Sequence, residues 1–273
     1  MNKNKIQLNN YMDFNSDAII TVGSRITTDD LDVEKYIAKM QNNTETDFIY
    51  MHPIDDISLQ NKYSDYIKYE AGSEEAVFAL LAFFLIKDAP EEIQDYLDDL
   101  DIGYLSGESS VGEEELEDLV AKLKDKKEIL LLIGDDITHH KYFENITKFI
   151  RIIDLYTDIN VVLLNENTNI NLSLKAIPDD VDNITPYNGT VIYTVNTNED
   201  ILKGSASFAM AAKIKDGDNV IIKYEGISSH KKFQVDSSVR GTIALYPILN
   251  TEKEQKMLST YRFKQVKIQR VES

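Results

Sequence analysis

Residues 17–56 open with Asp17-Ala18-Ile19-Ile20-Thr21-Val22-Gly23-Ser24-Arg25 and close on Phe48-Ile49-Tyr50-Met51-His52-Pro53-Ile54-Asp55-Asp56. The first apolar run stops at a glycine and the second at a proline turn. Between them, Thr28-Asp29-Asp30 offers side-chain oxygens for a helix start. Val33, Tyr36, Ile37 and Met40 then recur at i, i+3, i+4 and i+7, the spacing of one buried helical face. Strand, helix and strand in that order form a β-α-β unit, which needs a right-handed parallel crossover. Its loops gather beyond the carboxyl ends of the strands, and a ligand site, if there is one, lies there.

Outward from this unit the same grammar continues. Residues 1–16 are polar and Asn-rich, and poor order is expected until Phe14. Residues 57–65 read as loop or a short helical turn, and 66–69 as a brief strand. Gly72-Ser73-Glu74-Glu75 opens a helix over 75–87 that is apolar on nearly every side, so protein must cover it all round. Pro90 suits a first helical turn, Ile93, Tyr96, Leu97 and Leu100 form the next stripe, and Gly103 is expected to end it. Ser110 and Glu113 have capping-box spacing ahead of Leu116, Leu119, Val120 and Leu123. A strand over 129–133 ends in Gly134, a helix spans 142–156, and a strand over 160–164 follows. Thr46-Asp47-Phe48 and Thr157-Asp158-Ile159 occupy matching places, as shared α/β grammar produces.

After that the pattern changes. Residues 165–188 are Asn/Asp-rich with two prolines and read as a linker. Short alternating runs follow at 191–195, 220–224, 233–235, 242–246 and 261–268, separated by turn signals such as Asp216-Gly217-Asp218 and Arg240-Gly241. The expected fold class is α/β: a parallel-sheet, Rossmann-like region with flanking helices over 1–165, a linker over 166–188, and a small all-β barrel or sandwich over 189–273.

Composition narrows the function classes. A chain of 273 residues has room for two domains with real cores. The absence of Cys excludes thiolate-held clusters and disulfides within this chain. The amino terminus carries no apolar segment of a secretory signal, and the longest apolar run, 76–86, is far short of the ~20 residues of a membrane span. A soluble protein is expected. The net charge of -18 is uneven: residues 201–273 carry 13 Lys+Arg against 7 Asp+Glu, and residues 1–200 carry 16 against 40. So acidic a body argues against nucleic acid as partner. The basic end could dock on an acidic surface, but a solvated face balancing the body is the favoured account of it.

No short motif identifies a chemistry. Gly23-Ser24-Arg25 at a strand end can cradle a phosphate on its backbone N–H groups, but it is neither a G-x-G-x-x-G fingerprint nor a Walker loop. Asp55 and Asp56 can take a ribose hydroxyl, yet paired carboxylates repel a pyrophosphate. His139 and His140 point different ways and have no further ligand at metal spacing. Glu113, Glu114 and Glu115 are what an acidic composition produces by itself, and no Ser-His-Asp set stands out.

Taken in order, several segments resemble the molybdopterin oxidoreductase superfamily. DAIITVGSR (17–25) is similar to its strand ending in a Gly-Ser loop against the cofactor. DFIYMHPIDD (47–56) stands where the family has a strand and an Asp-Pro-Arg-like loop. YIKYEAGSEEAVFALLAFFLI (66–86) resembles its strand, Pro-Gly-Thr-Asp turn and apolar helix. Residues 100–140, LDIGYLSGESSVGEEELEDLVAKLKDKKEILLLIGDDITHH, resemble its following helix, strand and Gly-His segment. AAKIKDGDNVIIKYEG (211–226) and FQVDSSVRGTIALYP (233–247) resemble its carboxyl-terminal β-barrel. Within the superfamily the likeness is to the carboxyl-terminal part of the large peripheral-arm subunit of bacterial NADH-quinone oxidoreductase, respiratory complex I.

That resemblance implies a cofactor-free structural piece supporting electron transfer from NADH or another donor to quinone. It would lie on the cytoplasmic face of the membrane among other peripheral-arm subunits, with no direct membrane insertion. The iron–sulfur clusters are expected in an amino-terminal part that this sequence does not contain. The resemblance also marks Gly23, Ser24, Arg25, Gly72 and Ser73 as a cofactor-binding set, here vestigial. Arg25-Ile26-Thr27 replaces the family's Asn-Pro, His52-Pro53-Ile54-Asp55 lacks its Arg, and Glu74 follows Gly72-Ser73 where Gly-Thr-Asp is usual; lost cations and gained acids weaken a hold on phosphate. One alternative is half of a molybdopterin-dependent oxidoreductase, with those glycines and serines on the nucleotide. The other is a module that binds a different nucleotide or small molecule at Gly23 and Gly134.

Overall fold

The computed structural model describes residues 11–43, 45–165, 177–249, 257 and 260–271. Contacts divide the chain into two units, one of Met1–Pro53 with Leu59–Pro186 and one of Ile54–Ser58 with Tyr187–Ser273. Of the amino-terminal stretch, residues 1–10 lie outside the described residues. Tyr11–Asp13 form a short 3-10 turn, and the Tyr11 ring meets Tyr36 edge-on at 5.4 Å.

The first unit runs β1 (Ala18–Val22), α1 (Ile26–Asp29), α2 (Leu31–Asn43), β2 (Asp47–Met51), β3 (Asp65–Ile67), α3 (Glu74–Leu85), α4 (Glu91–Asp98), α5 (Ile102–Ser109), α6 (Glu113–Leu123), β4 (Ile129–Ile133), α7 (Asp135–Thr138), α8 (Phe143–Tyr156) and β5 (Asn160–Leu163). Its five strands are all parallel, in the order β3-β2-β1-β4-β5. β1 and β4 are buried along their whole length, as parallel strands covered by helices on both faces must be. Alternate residues feed two cores. Ile20, Val22, Leu131 and Ile133 pack with α3 and α8, while Ile19, Leu130 and Leu132 pack with Val33, Tyr36, Ile37 and Met40 of α2. The apolar helix is the hub of the larger core, with Ala76 to Ala82 fully buried. From β1 the chain winds outward through β2 and β3, then returns to the other side for β4 and β5. The strand order therefore reverses between β1 and β4, and a crevice is expected at their carboxyl ends.

Two helix boundaries differ from expectation. Gly103 does not end α4; it lies inside α5, which restarts because the Asp101 carboxylate accepts the Tyr104 N–H at 2.9 Å. Ser110 does not cap α6 but ends α5 at φ +58, and the box is made two residues later, where Glu115 accepts the Gly112 N–H at 2.9 Å. In the stretch expected to link the domains, residues 166–176 lie outside the described residues. Residues 177–186 belong to the first unit. Ile184 enters its core, Tyr96 Oη donates to the Asp179 carbonyl at 2.9 Å, and Tyr104 Oη donates to that of Asp182 at 3.2 Å.

The second unit comprises β6 (Val191–Asn196), β7 (Ile201–Gly204), α9 (Ala206–Ala212), β8 (Asn219–Tyr224), β9 (Ile227–Val235), β10 (Ile243–Ile248), β11 (Phe263–Gln265) and β12 (Lys267–Arg270). They form a curled mixed sheet, a half-barrel, in the order β11-β6-β10-β7-β9-β8-β12. Its two outermost strands are one run of chain bent at Val266. Phe263 pairs with Tyr193 of β6, and Ile268 pairs with Ile222 of β8. Leu202, Phe208, Val220, Ile222, Phe233, Ala244 and Tyr246 fill the inside. β7 and α9 carry no clear pattern in the sequence. The strand has four residues, and the helix of small residues is started by Ser205, whose hydroxyl accepts the Phe208 N–H at 3.0 Å.

Candidate functional site

The carboxyl ends of β1 and β4 are joined loop to loop. Gly134 N–H donates to Val22 O at 2.8 Å, Gly23 N–H to Met51 O at 3.3 Å, and Asp136 N–H to Gly23 O at 3.2 Å. Gly23 sits at φ +74, and a Cβ there would run into the Ile137 side chain. A Cβ on Gly134 would run into the Gly23 carbonyl. Both glycines are therefore required, one by backbone conformation and contact, the other by contact alone. Ile137 itself is fully buried. The face of Gly23 that a side chain would occupy is thus covered by Ile137.

Flanking Ile137, the same segment supplies two buried pairings. Asp136 Oδ2 lies 3.3 Å from Nε2 of His52 at the end of β2, both side chains wholly buried. The His52 ring stacks on Tyr50 at 5.7 Å. His140 Nδ1 accepts the Tyr142 N–H at 3.2 Å, so its proton resides on Nε2, which faces the Gly72 carbonyl at 3.4 Å and Glu74 Oε2 at 3.3 Å. Burial holds the His140 pKa down at about 4; the Gly72 carbonyl opposes that and Lys141 adds to it. The ring is neutral at neutral pH. Tyr69, fully buried, is held well above the usual phenol range by burial and then by Glu74 and Asp136. Its hydroxyl makes no hydrogen bond among the described residues.

The five residues marked from sequence fall on this crevice. Ser24 Oγ donates to Asp30, whose carboxyl is shifted upward by burial first, with Asp29, Asp135 and Asp136 adding to it. The Arg25 carbonyl accepts the Thr28 and Asp29 N–H groups, while its half-buried side chain leaves Nε without a hydrogen-bond partner among the described residues. Gly72 stands at φ +90, and Ser73 Oγ donates to the Glu70 carbonyl at 2.6 Å. One segment, 135–140, spans both Gly-Ser pairs, with Ile137 against Gly23 and His140 against Gly72. The residues present do not fit the phosphates of a pterin dinucleotide: the cradle is filled, the serines are spent on the protein itself, and acids surround Ser24.

Other sequence candidates lie apart or act locally. Asp55 Oδ2 is 3.4 Å from Arg240 Nη1 within the second unit. His139 Nδ1 meets Asp135 at 3.4 Å. Glu113, Glu114 and Glu115 are exposed on the first turn of α6. Among the described residues no three His, Asp or Glu side chains are grouped to hold a metal.

Sequence reasoning missed both buried pairs. Their members lie far apart in the chain, 84 positions for His52 and Asp136. The available signal was topological: each member follows a strand of the parallel sheet. No family model matches this chain, and no curated protein matches it.

Proposed function

We propose that this chain is a cofactor-free scaffold, the carboxyl-terminal part of a large peripheral-arm subunit of an NADH-quinone oxidoreductase. In this reading it supports electron transfer from NADH or another donor to quinone by packing against cluster-bearing subunits on the cytoplasmic side of the membrane, without a redox group of its own. The resemblance of the segments taken in order supports the family. The observation that carries the cofactor-free reading is the crevice between β1 and β4, where Ile137 lies on Gly23 and the segment 135–140 occupies the expected ligand position. Among the described residues no helix is long and apolar enough to cross a membrane.

The test is co-expression of the affinity-tagged chain with the other arm subunits, followed by size-exclusion chromatography and metal analysis of the isolated assembly. Co-elution in fixed proportion without stoichiometric molybdenum is expected. A chain that elutes alone overturns the scaffold role. Molybdenum equimolar with the chain would replace this reading with half of a molybdopterin oxidoreductase.

A further inference from the structure

The second unit carries an open groove of about 730 Å³ at the turn of the β8–β9 hairpin, lined by Tyr187, Tyr224, Gln265 and Val266 with Lys223 and Lys267. This is within the size range of binding clefts. The two lysines are direct cross-strand partners on β8 and β12, where like charges oppose each other. Lys223 Nζ donates to the neutral Gln269 Oε1 at 2.9 Å, and among the described residues neither lysine is ion-paired with a carboxylate. A third ammonium, Lys264, is buried nearby, against Tyr224. It donates to Thr260 Oγ1 at 2.7 Å and lies 5.4 Å from the centre of the Tyr224 ring. Burial holds it down at about 8, with Glu225 acting the other way. Glu225 is the single acid among the lining residues. In a chain of net charge -18, Lys223 and Lys267 with Lys264 beside Tyr224, against Glu225 as the one lining acid, make a local excess of positive charge next to two tyrosines.

We propose that this groove docks an acidic, aromatic-bearing peptide segment of a partner protein, with Lys223 and Lys267 facing its carboxylates and Tyr187 and Tyr224 its ring. Charge complementarity selects this occupant. The acidic remainder of the chain disfavours polyanions as large as nucleic acid, and an open groove suits an extended segment better than an enclosed small molecule. The proposal stands independently of the arm-subunit reading.

The experiment is fluorescence anisotropy of the full chain with a fluorescein-labelled oligoglutamate peptide carrying one central tyrosine. Saturable binding that weakens with salt is expected. It should be about tenfold weaker in Lys223→Gln/Lys267→Gln and unchanged in Lys213→Gln/Lys215→Gln, which alters lysines of the same unit outside the groove. Circular dichroism confirms that each variant is folded. Absence of binding, equal weakening in both double variants, or tighter binding of a single-stranded DNA of equal charge would each overturn the proposal.

Discussion

The crevice of the parallel sheet and the groove of the curled sheet are both expected positions for a ligand, and the chain treats them in opposite ways. In the first unit, the residues that follow β1, β2 and β3 are committed inward. Gly23 receives Ile137, His52 receives Asp136, and Gly72 receives His140. In the second, β8 and β9 alternate between more and less buried residues, and Lys223 and Lys267 are left to solvent with no carboxylate partner among the described residues. A strand buried on both faces must satisfy its polar groups with protein, whereas a half-buried strand can leave charge available to a partner. Fold-level analogy alone therefore does not locate a site: at the strand ends of the parallel sheet the loops are packed on one another.

The sharpest way to break this contrast is to push the sealed crevice open. Gly23→Ala places a Cβ at positive φ into Ile137, and the sum of strain and overpacking is expected to cost about 3 kcal/mol in urea denaturation. Ile137→Ala alone is expected to cost roughly 2–5 kcal/mol as a cavity. Combined, they should be less damaging than their sum by about 1 kcal/mol or more, because each relieves the other. Strict additivity would mean that Ile137 does not seal Gly23.

The second test is pH. His140 binds its proton in the unfolded chain near 6.5 but in the folded chain only near 4, so between those values the unfolded state holds more protons. Stability from keeping the ring neutral is complete above pH 6.5 and is lost as pH falls toward about 4. The two values are separated by roughly 3 kcal/mol. His140→Gln should flatten this window relative to the parent chain. An unchanged pH profile would show that the ring is not buried as a neutral group.

The third test uses a glycine in the open region. Gly226 also stands at positive φ, +79, but a Cβ there meets nothing within 4 Å. Gly226→Ala should therefore cost only the backbone strain, about 1 kcal/mol, a clear margin below Gly23→Ala. Equal losses would mean that conformation rather than contact decides both sites. The smallest effect is expected from Lys223→Gln/Lys267→Gln, which removes facing like charges and should raise the urea midpoint slightly, most at low salt. A drop in the midpoint would show that the lysines serve the fold.

What was legible in the sequence was what periodicity encodes. The run Ala18–Val22, the α2 stripe, the apolar helix around Ala76–Ala82 and the run Ile129–Ile133 each stated their own burial, and together they required a parallel α/β sheet. Elements whose signal is a single cap, such as α5 begun by Asp101 or α9 begun by Ser205, were missed or misplaced, because one side-chain hydrogen bond can override the pattern around it. The glycines at 23, 72 and 134 were visible as special positions, but their use was not.

By itself, then, the sequence determined which apolar runs are inside, that those of the first unit form a parallel sheet, and that no thiolate chemistry occurs within the chain. Only the tertiary structure decided that Ile137 would lie on Gly23, that His140 would reach Gly72, and that Lys223 would face Lys267. Those meetings join residues tens of positions apart, and their distances depend on strand order and register, which no local pattern carries.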